Sequence, residues 1–403
     1  MTVIRDPLAA APAEATPTAI RIAVLAALAA VGTLATNIML PSLPGIGRDL
    51  AVSSAEVTAA ITVFLAVFAA GQLAIGPISD RFGRSIPVVA GLIVFVAGTI
   101  LCALANDLPT LLAGRAVQAI GACAASVLSR AIARDLFSGE ALARALSLVT
   151  IAMATAPGFS PLLGGALDHL WGWRAGFVFV AIFGALAATT YLMVMGETHH
   201  ATRSPINPAA IARTYIGLAG DRRFLVPAAS VSLIMGALFA MFSAMPRVLI
   251  DDLHFSPIQL GLFFAGTVFI VFAAGIGATR LVPKLGLPRA LQLALLLAAA
   301  GGAGVLLTGL SSNTFLPFLI CVSIFLLGMG MVNPLGTAQT LSPFGERAGA
   351  ASALLGFWQM ACAAFGVWAA AKLPLGAMAA LGAVLTTASA LALLTYACRA
   401  RQA

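Results

Sequence analysis

Long apolar stretches without a single charge constrain this chain more than any other feature. They run over 22–47, 57–79, 85–106, 145–167, 175–196, 224–246, 255–279, 348–371 and 373–398. The window 108–129 is broken only by Arg115, and 290–345 splits near Ser311-Ser312-Asn313 into two. Twelve segments result, each close to the roughly 20 residues an α-helix needs to cross a bilayer. Hydrophobic residues make up 61% of the chain and charged residues 9%, against roughly 25% charged in a soluble domain. No water-soluble fold hides that much apolar surface. The expected class is an all-α membrane protein of 12 transmembrane helices, with the lipid bilayer as its solvent.

Basic residues set the expected orientation. Seventeen of the 22 Lys and Arg fall on the side of the amino terminus, leaving Arg48, Arg174, Arg247 and Lys372 outside and Arg115 within the membrane. Both termini are therefore expected in the cytoplasm, and the protein in the inner (plasma) membrane. The +8 net charge reflects this asymmetry and gives no reason to invoke nucleic acid. Cys102, Cys123, Cys321, Cys362 and Cys398 are scattered singly in apolar segments, a pattern of core residues without metal or disulfide spacing. His199 and His200 read as linker. The first apolar run is too long for a signal-peptide core, so it is expected to be retained. Trp171 and Trp173 beside Arg174 read as an interfacial aromatic belt.

The one sizeable polar interruption, 197–223, divides the chain into two sets of six segments. We place a cytoplasmic tail at 1–19, six-helix bundles at 20–197 and 223–403, and a linker at 198–222. LFSGEALARALS (136–147) and PFGERAGAASAL (343–354) occupy equivalent places in the two halves. Two parallel repeats related by a pseudo-two-fold axis around a central cavity form a transporter architecture that alternates access by rocking.

Segment 2 ends in GPISDRFGRS (76–85). Gly76 and Gly83 permit a tight turn and close helix approach, Asp80 can pair with an arginine or sit at a helix N-terminus, and Arg81 and Arg84 add inside-positive charge. This spacing resembles the first cytoplasmic-loop signature of the major facilitator superfamily. Arg115, Gln118 and Gly121 match its fourth-helix R-x-x-Q-x-x-G pattern. APGFSPLLGG (156–165) resembles the fifth-helix antiporter motif through Pro157, Pro161, Gly164 and Gly165, with Ala156 and Ser160 where the family usually has glycine. TNIMLPSLP (36–44) and SPFGERAGAASALLGF (342–357) are similar to the Bcr/CflA branch of drug:proton antiporters, the bicyclomycin and chloramphenicol exporters. In the second half, GIGATRLVPKLG (275–286) offers Thr279 and Arg280 where Asp80 would repeat, so a gate built on Asp80 is expected to be one-sided.

An arginine at the middle of a membrane helix costs roughly 2.5–3.5 kcal/mol to insert, so Arg115 must face protein or a water-filled cavity. The resemblance implies a proton-binding aspartate opposite it on segment 1, but that position is Asn37, which neither titrates nor neutralises. No other carboxylate lies in the charge-free windows. We therefore expect Arg115 in a wet cavity between the bundles with Asn37 opposite. Gln118, one turn away on the same face, and Asn333, Trp358 and Gln359 from the second half complete the expected cavity set. A cavity with a cation and no acid repels lipophilic cations, which favours small hydrophobic cargo that is neutral or anionic. Proton coupling must then run through a peripheral acid such as Glu56 or Asp80, through the cargo's own proton, or not at all. Glu56 by itself reads as a solvated helix start, and Arg247 as snorkelling to the interface.

The expected function is multidrug efflux by a proton-driven antiporter, a monomer with no cofactor beyond the proton gradient. Its alternative is a metabolite exporter or uniporter of the same fold. Paired carboxylates, a metal cluster and a phosphate loop are all missing from the sequence, so neither an enzyme nor an ATP-driven pump is expected.

Overall fold

A computed structural model describes residues 18–198, 207–311 and 314–400. Among the described residues, twelve helices are long and apolar enough to cross a membrane. We label them α1 (Thr18–Asn37), α2 (Ala59–Phe82), α3 (Ser85–Ala103), α4 (Leu108–Leu136), α5 (Gly139–Trp171) and α6 (Arg174–Val194). The second half contributes α7 (Arg222–Pro246), α8 (Pro257–Leu285), α9 (Leu287–Ser311), α10 (Phe315–Leu341), α11 (Ala348–Lys372) and α12 (Ala377–Ala400). The described residues form helices and turns, with no strand.

Local chemistry fixes several of the ends. Asp107 caps α4 by accepting from the Thr110 backbone N–H at 2.7 Å, with Pro109 pre-set for the first turn. That N–H holds the Asp107 carboxyl below its ordinary range. Ser256 and Gln259 form a reciprocal capping box on α8. The α1 helix stops at Asn37 because Pro41 has no N–H to continue its ladder. A 3₁₀ turn, Leu40–Ser42, and a short helix, Leu43–Asp49, follow, and the turn is fully buried.

The packing repeats between halves. Within the first, α1 packs on α4, α5 and α6, α2 on α4, and α3 on α4 and α6. Adding six to each number gives the contacts of the second: α7 on α10, α11 and α12, α8 on α10, and α9 on α10 and α12. The two bundles meet chiefly along α2–α11 and α5–α8, a pair that the same shift exchanges. This is the pseudo-two-fold arrangement read from the sequence. Small residues set its tightest contacts. A Cβ on Gly98 of α3 would collide with the Gln118 backbone nitrogen of α4.

The outward faces carry Ile93, Ile120, Ile182, Phe269, Leu307 and Leu394, all more than half exposed. That surface is tenable only in lipid, where backbone groups are satisfied inside each helix. Twelve crossings put the start of α1, the end of α12 and the helix between the bundles on one face, here called the linker face, and the Leu40–Ser42 turn on the far face. Within the linker, Pro208–Gly220 forms a helix, capped by Asn207 through the Ala210 N–H, where the sequence reading placed a polar connection. The pair His199-His200 lies outside the described residues.

Candidate functional site

Arg115, on α4, is completely buried. Its Nη1 donates to the Ala35 carbonyl at 3.0 Å and to the Gln118 Oε1, and its Nε donates to the Ala60 carbonyl at 3.3 Å. The guanidinium carbon lies 4.3 Å from the centroid of the Phe64 ring. Gln118 donates in turn to Thr99 Oγ1 at 2.8 Å, and Thr99 to the Phe95 carbonyl at 2.6 Å. One cation thus ties together α1, α2, α3 and α4. Because α1 ends at Asn37, Ala35 carries one of the free carbonyls of a helix C-terminus, where a positive charge is favourable. Carbonyls and a π face, without any carboxylate, hold the charge.

This placement corrects the expected one. Arg115 is sealed inside the first bundle, with every described partner on α1–α4, and does not open onto the space between bundles. Asn37 is also buried and lies two residues beyond Ala35, but its Nδ2 donates to the Thr33 carbonyl at 2.7 Å. Asn37 Oδ1 and Arg115 Nη2 are both buried without a partner. The second-half candidates do not join this network. Trp358 packs on the apolar cluster of Leu218, Phe224, Leu354 and Leu355 at the linker face. Asn333 and Gln359 are half-buried.

The α2–α3 turn is held as a charged knot. Arg84 donates from Nη1 to Asp80 at 2.8 Å and Ser79 Oγ at 2.6 Å, and from Nε to Asp135 of α4 at 2.9 Å. Burial works against this cation, but the two carboxylates outweigh it and raise its pKa above the ordinary guanidinium value. Glu197, after α6, accepts from the Arg84 and Ser85 backbone N–H groups at 2.8 and 3.2 Å, an anion on the N-terminus of α3. Gly83 has φ +87°, and a Cβ there would strike the Glu197 carboxylate. Arg81 points outward over the Phe82 ring. Asp135 and Glu197 escaped the sequence reading, since each is a lone acid beside basic residues at a helix end.

Beside this knot a cavity of about 370 Å³ separates α2 and α4 from the start of α11, with the linker helix at its mouth. Gln72, Gly76, Asp80, Arg130, Arg134 and Tyr215 are among the residues lining it. Arg130 Nη1 reaches only the Met153 sulfur, at 3.7 Å, and Arg134 Nε donates to the Arg130 carbonyl. Among the described residues neither arginine has a carboxylate partner. The first turn of α11 has no side-chain cap and no acid, so its positive end borders the same space.

The far half of the inter-bundle seam is closed. A Cβ on Gly165 of α5 would sit 3.0 Å from the Pro257 carbonyl of α8, and within the first bundle Gly164 lies so close to the Ile38 carbonyl, just before the Leu40–Ser42 turn, that a Cβ would overlap it. Gly158 meets Val268 and Gly261 meets Leu162 along the same seam. Pro157 and Pro161 lie within α5 and leave its helix continuous. The Leu40–Ser42 turn packs on α5, α7 and α8 and completes the seal.

At the interface, Trp173 departs from the expected belt. It is 4% exposed, donates to Asp49 at 2.8 Å and stacks edge-on with Phe177, while Trp171 is 71% exposed. Tryptophan next to arginine at a helix start does not reveal which ring turns inward. Glu56 takes the solvated capping place expected of it, accepting from the Ser53 N–H at 2.9 Å.

Comparison with known proteins adds three kinds of likeness. A family model described as Major Facilitator Superfamily matches residues 25–367. The chain is 32% identical to a Bacillus subtilis protein named "Uncharacterized MFS-type transporter YdgK", over 82% of this chain and 83% of that one. It is 31% identical to the "Bicyclomycin resistance protein homolog" of Haemophilus influenzae, covering 79% and 81%, and 27% identical to "Multidrug resistance protein D" of Escherichia coli, covering 92% and 93%. Among solved structures, the fold matches a bacterial homologue of the human lysosomal transporter Spinster (TM-score 0.76, 16% identity, 94% and 96% covered). It also matches a D-xylose-proton symporter (TM-score 0.72, 17% identity, 93% and 96% covered).

Proposed function

The chain belongs to the major facilitator superfamily, and on that premise we propose that it exports small hydrophobic neutral or anionic compounds from the cytoplasm by proton-driven antiport. In this reading the linker face is cytoplasmic, which its excess of Lys and Arg supports, and the protein works as a monomer in the inner membrane, without a chemical step or a bound cofactor. The relatives named for bicyclomycin and multidrug resistance support efflux as the direction and drugs as the cargo class.

One observation carries the mechanism: the seam is sealed at the far face by α5 and α8 and hollow at the linker face. Rocking about the α2–α11 and α5–α8 contacts exchanges these two states, which is alternating access. Arg115 is enclosed, so non-cationic cargo is favoured instead by Arg130 and Arg134, which line the cavity and have no carboxylate partner among the described residues. Like charges in a site of low dielectric repel.

Proton coupling runs outside the first helix, since Asn37 cannot titrate. Asp80 and Asp135 are the acids of the cavity wall, and protonating either loosens Arg84. A second reading, uniport, is favoured by the same asparagine. A susceptibility panel in an efflux-deficient host tests the reading. The chain should confer resistance to neutral compounds such as chloramphenicol more than to lipophilic cations such as ethidium. The reverse order would exclude the cavity argument.

A further inference from the structure

Pro77 leaves a gap in α2. In an uninterrupted helix its N–H would bond to the Leu73 carbonyl, four residues earlier, but proline has no N–H. A carbonyl freed inside a membrane protein needs another donor. Here the donor comes from outside the bundle: Tyr215, on the linker helix, donates its hydroxyl to the Leu73 carbonyl at 3.1 Å. Burial and the charge of nearby Asp80 push the Tyr215 pKa up, so the hydroxyl keeps its proton throughout the physiological range.

The rest of the linker helix belongs to the other half. Leu218 is buried in a cluster with Phe224 and Ala228 of α7 and Ala351, Leu354 and Leu355 of α11, and Phe224 meets Phe344 edge to face. The helix is therefore anchored by apolar packing to the second bundle and reaches the first through Tyr215. Ile211, Thr214 and Tyr215 also line the cavity at the seam. A hydrogen bond that spans two bodies moving past each other cannot be equally good in both arrangements.

We propose that Tyr215 is a positioning residue of the transport cycle: its hydroxyl, bonded to the carbonyl that Pro77 leaves free, latches the linker helix to α2 and favours the state open at the linker face. The proposal rests on the alternating-access reading and adds a named element that sets the balance of states. A single neutral hydrogen bond of this kind shifts an equilibrium by about two- to twelve-fold.

The test uses full-length protein in lipid nanodiscs, its five native cysteines replaced by alanine, with spin labels at Glu140 and Gly345. These exposed sites lie at the linker-face ends of α5 and α11. Pulsed electron paramagnetic resonance then reads the ratio of long to short separations. Tyr215→Phe keeps the ring and its packing and removes only the donor. It should lower the ratio of open to closed states at the linker face by about two- to twelve-fold. Pro77→Ala restores a backbone donor for Leu73, and in that background the Tyr215→Phe effect should shrink markedly, a non-additivity expected of shared partners. An unchanged distribution in Tyr215→Phe, or the same shift in both backgrounds, overturns the latch. The readout needs neither cargo nor a proton gradient. A failed latch leaves the efflux reading standing, and failed transport leaves the latch standing.

Discussion

Replacing Arg115 with methionine keeps the length and helix preference of the side chain and removes the charge. Two acceptors lose the donor the structure gives them, the Ala35 carbonyl at the α1 terminus and the Gln118 Oε1. The Ala60 carbonyl lies inside α2 and keeps its helix partner. Each buried acceptor left unpaired costs about 1–3 kcal/mol, and the lost contact with Phe64 about 2 kcal/mol in a dry site. Against this, the variant is spared the roughly 3 kcal/mol of burying a guanidinium in the membrane. The balance is a destabilisation of about 1–5 kcal/mol, focused on the junction of α1 with α2 and α4. Unfolding by sodium dodecyl sulfate in mixed micelles measures it, and hydrogen exchange at Ile38 to Leu40 localises it. Export should fall as well, because the Leu40–Ser42 seal hangs from the end of α1. If the methionine variant matches or exceeds wild type in stability, the carbonyl cradle does not hold α1, and the account of Arg115 fails.

Three further outcomes follow from neighbouring contacts. Gly164→Val forces a branched side chain onto the Ile38 carbonyl, an overpacking of about 1–3 kcal/mol or more, so it should push the adjoining Leu40–Ser42 turn off α5 and loosen the far seal. Labelling of a cysteine introduced at Leu40 should rise, and wild-type labelling would refute the contact. Asp135→Asn removes one of two carboxylates on Arg84, and a charge-assisted bond of this kind is worth about 1.5–3 kcal/mol. Drug resistance should drop while the protein still folds, and full resistance would count against the knot as a gate. Raising pH should break the Tyr215 latch only above about pH 10. The raised pKa preserves the neutral donor below that point, and its contribution is lost as pH climbs through the folded value. A change in the spin-label distances between pH 7 and 9 would contradict this.

Membrane class, the number of crossings and the two-fold repeat were legible because lipid demands unbroken apolar runs and because each run is bounded by charge, proline or a capping residue. The loop knot was half legible. Asp80, Gly83 and Arg84 follow one another closely, but Asp135 and Glu197 reach them only through the folding of α4 and α6. Arg115 shows the limit most clearly. Its burial followed from the insertion cost, and its proximity to α1 from the family resemblance. Which side of α4 it occupies did not follow, because apolar residues on all sides of that helix give no face to read. The inward turn of Trp173 was hidden as well, since its partner Asp49 is distant in sequence. Tyr215 and the linker helix stayed hidden because 13 residues are too few to read as a membrane span within the charged connection, and because its partner is a carbonyl, which no side-chain pattern records.

Export driven by a proton gradient without a carboxylate on α1 is the central claim, and vesicle transport tests it most directly. Inside-out vesicles containing the protein are acidified within, and the initial rate of radiolabelled chloramphenicol uptake is followed with and without a protonophore. The account predicts uptake that depends on the gradient and collapses with the protonophore, although residue 37 is asparagine. Equal rates under both conditions would contradict antiport and leave uniport in its place.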